Sequence, residues 1–282
     1  MRTRRFATAL LIVVTAIWGF TFVTNQDILK TLSPTDLLAW RFCIAALVML
    51  VLKPKCIANL SREQQKQGLI LGLLLGVGYV AQMVGLTGTT ATASGFVTGM
   101  FVVFTPLVSG LVLHQRISAW AWLAVTLSAI GLGLIAFNGT QVSSKDLVTL
   151  ICAISFAFQI VYLSRWSKAE AVYGLTTLQL LVTGLLSLVI SLVKGGPQVP
   201  PDTQTWLSII FLAVFASSLG FFAQTWVQSQ VSATRAAIIL TFEPVFAGIA
   251  GVTIGADELT KRLVIGSGFI LVAMFLAELK SD

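Results

Sequence analysis

Tyr79-Val80-Ala81-Gln82 and Phe221-Phe222-Ala223-Gln224 are one phrase written twice, 142 residues apart. Ala91-Thr92 returns as Ala233-Thr234 at the same offset, Ile117-Ser118 as Leu259-Thr260, and Ala124 meets Gly266. Between them Thr105-Pro106 pairs with Glu243-Pro244 at an offset of 138. The difference of four is about one helical turn, so the second copy is a turn shorter between the connection and its proline. Nearer the start, Leu37 and Arg41 align with Leu175 and Gln179. The chain therefore reads as a duplication, with one unit over 6–137 and a second over 146–279.

The composition says where such a chain lives. Apolar residues make up 56% of the 282, charged residues only 10%, and the mean hydropathy is +0.92. A soluble surface of this size needs far more charge than that, so a water-soluble enzyme or nucleic-acid-binding domain is excluded and the expected surroundings are a lipid bilayer. The net charge of +7 follows from the habit of membrane proteins of keeping Lys and Arg in cytoplasmic loops, and implies no nucleic-acid partner.

Ten apolar stretches have the length a spanning helix needs: approximately 6–24, 35–52, 68–87, 93–113, 119–137, 146–163, 173–193, 205–228, 234–254 and 262–279. The first lacks a small-residue cleavage site and contains Trp18-Gly19-Phe20, so it reads as a retained span, not a signal peptide. With the N-terminus inside, Arg2, Arg4, Arg5, Lys53, Lys55, Arg62, Lys66, Arg116, Arg165, Lys168, Arg235 and Lys280 fall on the cytoplasmic side, 12 in all. Lys30, Lys145, Lys194, Lys261 and Arg262 fall outside, 5 in all, with Arg41 within the second span. That bias predicts both termini in the cytoplasm. Five spans per unit is an odd number, so the second unit enters the membrane from the opposite face. The expected fold is an all-α membrane protein of ten spans in two inverted repeats, an architecture whose substrate sites lie near the midplane between the halves.

The segment Ser94-Gly95-Phe96-Val97-Thr98-Gly99-Met100-Phe101-Val102-Val103-Phe104-Thr105-Pro106-Leu107 and its partner from Ala233-Thr234-Arg235-Ala236-Ala237 through Phe242-Glu243-Pro244-Val245-Phe246-Ala247 resemble the two EamA domains of the drug/metabolite transporter superfamily. Ala16-Ile17-Trp18-Gly19 and Trp40-Arg41-Phe42 share in the likeness, which covers nearly the whole chain. The resemblance implies a ten-helix carrier of the cell inner membrane that moves small metabolites, often outward, by alternating access. One feature departs from it. Family members carry an acidic turn after each proline helix; the second copy has Asp257-Glu258-Leu259-Thr260, whereas the first reads His114-Gln115-Arg116-Ile117-Ser118, without an acid.

Glu243 is the one acid expected deep within a span, where a carboxylate is costly and is paired, protonated or functional. Pro244 beside it cannot donate to the carbonyl of Leu240, and Pro106 does the same to Val102, so two symmetry-related hinges are expected. Glu243 then either lines a cavity and meets an amine or a proton, or ties two helices together. Arg41 is expected to snorkel to the outer headgroups or pair with Asp36, with substrate contact as the alternative. The mid-span amides Gln82, Gln159 and Gln224 must face other helices or a wet cavity, and Gln82 and Gln224 are repeat equivalents. Trp18, Tyr79, Phe101, Phe156, Tyr162 and Phe221 are the aromatic candidates for the same space. Glycines four apart, Gly68, Gly72 and Gly76, mark a close-packing stripe.

Cys43, Cys56 and Cys152 form no metal or disulfide pattern, no phosphate-binding loop is present, and no cofactor is called for. The chemistry therefore points to a transporter of small amphipathic metabolites, such as amino acids or amines, with proton coupling through Glu243, acting as a monomer or homodimer. A channel or sensor on the same fold is the alternative. An intramembrane enzyme would need a catalytic constellation at depth, and the single His114 sits at a helix end with no partner nearby in sequence.

Overall fold

The computed structural model describes residues 2–114, 118–136, 144–255 and 257–279, and every regular element among them is helical. In chain order these are α1 (Arg2–Ile28), α2 (Pro34–Leu52), α3 (Arg62–Leu86), α4 (Ala91–Thr98), α5 (Phe101–Leu113), α6 (Ala119–Ala136), α7 (Ser144–Trp166), α8 (Val172–Val193), α9 (Thr203–Phe211), α10 (Gly220–Gln228), α11 (Ala233–Leu240), α12 (Phe242–Thr253) and α13 (Lys261–Leu279). A π-helical segment, Leu212–Leu219, joins α9 to α10 without leaving the helix path. Starts are marked by local chemistry. The Ser33 hydroxyl accepts from Asp36 N–H ahead of Pro34 at the first helical position, where its missing donor costs nothing. Ser61 and Gln64 form a reciprocal capping box on α3.

Among the described residues eight helical stretches are long and apolar enough to cross a membrane: Phe6–Ile28, Pro34–Leu52, Arg62–Leu86, Ala91–Leu113, Leu147–Trp166, Val172–Val193, Thr203–Gln228 and Arg235–Thr253. The stretches 119–137 and 262–279 contain α6 and α13, of 18 and 19 residues, which pack on one another. Large apolar side chains such as Leu47, Val51, Leu73, Val77, Leu185 and Val189 are exposed, a surface suited to hydrocarbon.

Two of the spans are broken, and at matching places. α4 ends after eight residues at Thr98, and α11 ends after eight at Leu240, 142 positions later. In the first, Met100 N–H donates to Val97 O and Val102 N–H to Gly99 O, a tightened turn of i→i−3 bonds. In the second, Thr241 alone separates α11 from α12. Both breaks lie ahead of the prolines. Pro244 is the third residue of α12, where a helix has no intrahelical use for the N–H that proline lacks, and α5 runs on through Pro106.

The halves interlock across their whole length. α1 packs on α12, α2 on α8, α3 on α7 and α8, α4 on α12, and α5 on α7. The glycine stripe explains one seam. A Cβ on Gly68, Gly72 or Gly76 would lie 2.7, 2.5 or 2.8 Å from side-chain atoms of Leu178, Val182 or Leu186, successive turns of α8. With no Cβ there, the backbones approach closely enough for the Thr183 hydroxyl to donate to Gly72 O at 3.1 Å. The acidic turn of the second copy also has a task. Asp257 Oδ2 accepts from Thr92 N–H at 3.0 Å and from the Thr92 hydroxyl, tying the start of α4 to the α12–α13 connection. Its first-copy counterpart, Gln115-Arg116-Ile117, lies outside the described residues.

Candidate functional site

The two halves leave a cavity between them, walled by Trp18, Leu75, Tyr79, Phe101, Phe156, Gln159, Ile160, Phe221, Gln224, Leu240 and Glu243. The space between these walls, counting the part open to the outside, is about 320 Å³. Only about 20 Å³ of that is open to the centre of a water molecule, roughly what one water occupies on the same measure. The walls are thus drawn in, and anything larger than water needs them to move.

Each wall residue is positioned by its helix. On α3, Leu75 and Tyr79 are one turn apart and share a face. Tyr79 packs edge-on against Phe42 at 4.8 Å and Phe156 at 5.3 Å. Across from them, Phe221 lies 4.9 Å from the Trp18 ring. Trp18 is held by its indole N–H, which donates to Ala216 O at 2.7 Å. That carbonyl is in the π segment, whose wider turn alters which carbonyls face inward; Ser218 there donates to both Ala213 O and Ala45 O. A Cβ at Gly220 would stand 2.8 Å from the indole nitrogen, so glycine leaves room for it. The segment therefore docks α1 and α2 directly beside the cavity.

The break between α11 and α12 brings in the polar end. Leu240 closes α11, and Glu243 opens α12 in its first turn. No ion pair or hydrogen bond to the Glu243 carboxyl is present among the described residues, and the side chain is 7% exposed. α12 is held tightly at this turn. A Cβ on Gly19 would lie 2.8 Å from Glu243 O, one on Gly99 would lie 2.5 Å from Pro244 Cγ, and one on Gly95 2.6 Å from Ala247 Cβ. Gln224 is buried with its Oε1 unpartnered. Gln159 differs: its Nε2 donates to Gln179 Oε1 at 2.9 Å.

Eight of the ten side chains expected at a substrate site meet here: Trp18, Tyr79, Phe101, Phe156, Gln159, Phe221, Gln224 and Glu243. Two do not. Gln82 is buried away from the cavity, its Nε2 donating to Thr98 Oγ1 at 3.2 Å. Tyr162 stacks on Trp166 with ring centroids 4.5 Å apart. Counting about 100° per residue, it stands roughly 120° around α7 from Phe156, off the cavity wall.

The snorkelling expected of Arg41 is overturned. The side chain is 0% exposed, its Nε donates to Ser217 Oγ at 2.8 Å, and Asp36 instead accepts from the Ser191 hydroxyl. It points into the bundle because the π segment offers a hydroxyl there. Sequence depth alone misread this residue; a charge inside a span is by itself a sign of an interior role.

Comparison with known proteins identifies the family and the fold. The pattern of the EamA-like transporter family matches twice, over residues 5–137 and 143–279. The chain is 30% identical over 278 residues to an uncharacterized transporter of Archaeoglobus fulgidus, covering 98% of this chain and 87% of that one. It is 26% identical to the uncharacterized inner membrane transporter YedA of Escherichia coli, over 93% and 87% of the two chains. A solved crystal structure superposes with a TM-score of 0.77 at 17% identity, covering 97% and 96%, which shows a shared fold. Matched twice by the family pattern across nearly all its length, the chain belongs to the EamA-like transporter family and is a multi-pass membrane transporter of that type.

Proposed function

We propose that the chain is a ten-span secondary transporter of small amphipathic metabolites such as amino acids or amines, exporting them across the inner (plasma) membrane by alternating access. The observation that carries this reading is the cavity itself. It draws its walls from α1, α3 and α5 of one half and α7, α10, α11 and α12 of the other, and it holds the Glu243 carboxyl together with an unpartnered amide oxygen of Gln224. Aromatic and aliphatic walls suit the apolar body of a metabolite, and Glu243 suits an amine or a proton.

Counting α6 and α13 as spans, the breaks after eight residues of α4 and α11 are what two inverted repeats would produce. Discontinuous helices at a midplane site are a transporter device. The 12-to-5 charge bias supports cytoplasmic termini, and the inner-membrane name of one relative supports the location. Function as a monomer or homodimer in the bilayer, with proton coupling through Glu243, completes the proposal.

Counterflow in proteoliposomes tests it. Unlabelled substrate trapped inside should accelerate uptake of labelled substrate, and the rate should saturate. Uptake that rises linearly with concentration and ignores the trapped pool would mean a channel, and no uptake under any gradient would mean a sensor.

A further inference from the structure

A second opening lies apart from the central cavity, as a groove between α12 and α13. One side is α12 from Val245 to Thr253 and the other is α13 from Leu263 to Leu271, with Leu259 at one end and Phe96 of α4 within. Counting the part open to the outside, the space is about 870 Å³. Phe96 and Leu263, 1% and 8% exposed, form its floor, while Ile249, Leu259 and Val264 are exposed at its rim. The lining is apolar but for two hydroxyls, that of Ser267 and that of Thr253, which donates to Ile249 O in its own helix at 2.7 Å. Gly268 leaves the α13 side open: among the described residues nothing beyond its own helical turn lies within 4 Å of where a Cβ would stand.

The groove has the dimensions of one leaflet. Val245 and Thr253 are eight residues apart, as are Leu263 and Leu271, which is about 12 Å of helix. Half the hydrocarbon thickness of a bilayer is about 15 Å. The end at Leu259 is charged. Lys261 and Arg262, both exposed, open α13, and its first turn contains no acid. The helix dipole disfavours cations at that end, so an anion placed there relieves both. Of the two acids just before them, Asp257 is committed to Thr92, and the exposed Glu258 offsets only one of the two positive charges.

We propose that this groove holds one anionic phospholipid, an acyl chain lying between α12 and α13 and the phosphate headgroup against Lys261 and Arg262. The inference is independent of the central cavity and of what it carries. An apolar slot that is one leaflet deep and positive at its mouth matches a lipid in length, polarity and charge. The chain fills the space that Gly268 leaves and braces α12, whose groove-lining stretch starts two residues after Glu243.

The test uses the purified full-length protein in detergent micelles and reads bound lipid by native mass spectrometry. The probes are dioleoyl phosphatidylglycerol and dioleoyl phosphatidylcholine, which share their chains and differ in headgroup charge. One molecule of the phosphatidylglycerol should be retained, bound about tenfold more tightly than the phosphatidylcholine. The double variant Lys261→Gln, Arg262→Gln should bind the two lipids alike, and the pair Lys261→Arg, Arg262→Lys should keep the preference. Gly268→Leu places a side chain in the open groove and should weaken the phosphatidylglycerol about tenfold, with an unchanged midpoint of thermal unfolding in lipid-free detergent showing that the fold is intact. Equal binding of the two lipids by the wild type, a preference that survives the double glutamine variant, or retention unchanged by Gly268→Leu would each overturn the site. So would a lipid-free dimer that Gly268→Leu dissociates, which would make the groove an interface between copies.

Discussion

Gln82 Nε2 and Thr98 Oγ1 are joined by a hydrogen bond of 3.2 Å, and at the positions 142 residues on stand Gln224 and Leu240, a pair that cannot make it. Thr98 ends α4 and Leu240 ends α11, so the same geometry is offered twice and completed once. The leucine offers the Gln224 amide nitrogen no acceptor, the Gln224 oxygen is also without a partner, and both side chains join the cavity wall. Duplicated positions have thus been divided between packing and the cavity wall.

The division predicts opposite phenotypes for matched substitutions. Gln82→Leu removes an interhelical bond and should lower stability by about 0.6–1.7 kcal/mol, with ligand affinity nearly unchanged. Gln224→Leu removes an unpaired acceptor and should leave stability intact or raised while weakening binding several-fold. Leu240→Thr should restore the missing bond and weaken binding as well. Thermal unfolding with and without ligand separates these outcomes, and equal loss of stability in both glutamine variants would mean that both are packing residues.

Gly72 sets the spacing of α3 and α8. An alanine Cβ there would lie 2.5 Å from Val182 Cβ and 3.0 Å from the backbone oxygen of Gln179, and the backbone has no easy way to yield. Gly72→Ala should cost about 1–3 kcal/mol, as overpacking does. Gly268→Ala on α13 is the control. Among the described residues nothing beyond its own helical turn lies within 4 Å of where a Cβ would stand, so the substitution should be neutral or gain up to about 1 kcal/mol in helix propensity. Midpoints of thermal unfolding in the same detergent check both.

Asp257 caps α4 from the other half of the chain. Asp257→Ala should lower stability by about 1–2 kcal/mol, the usual worth of an N-terminal cap, and Asp257→Asn by less. In a double-mutant cycle with Thr92→Val the effects should be clearly non-additive. Additive losses would mean that the carboxylate acts elsewhere.

The proposed topology is checked with single cysteines placed at Lys145, Gln198 and Glu63 in a background without the native three. An impermeant maleimide applied to intact cells should label the first two and spare the third. The reverse pattern would invert the orientation.

Much of this was readable in advance because bilayer thickness imposes a length and a polarity on each helix. The ten apolar stretches fall on helices to within a few residues at most ends, except the third, which begins six residues earlier at Arg62 because the Ser61 capping box extends it into the polar region. The breaks in α4–α5 and α11–α12 were expected at Pro106 and Pro244. They fall earlier because a proline is tolerated in the first turn of a helix, where Pro244 sits, and because Gly99 gives the chain its weak point ahead of Pro106. Tyr162 was legible in principle from helical phase. Arg41 was not, since its direction is set by Ser217, 176 positions away. Nor could repeat symmetry separate Gln82 from Gln224, because the deciding difference is one residue on a neighbouring helix.

Passage of the substrate through the cavity at Glu243 is tested by the Glu243→Gln variant in proteoliposomes. Glutamine keeps the shape and the hydrogen-bonding capacity but can neither exchange a proton nor match a cation. The account predicts that affinity in counterflow falls about tenfold or more where the carboxylate meets an amine; where it carries the proton, pH-driven accumulation is lost while counterflow persists. Wild-type affinity, counterflow and pH dependence in that variant would contradict the account and leave Glu243 as a structural carboxyl.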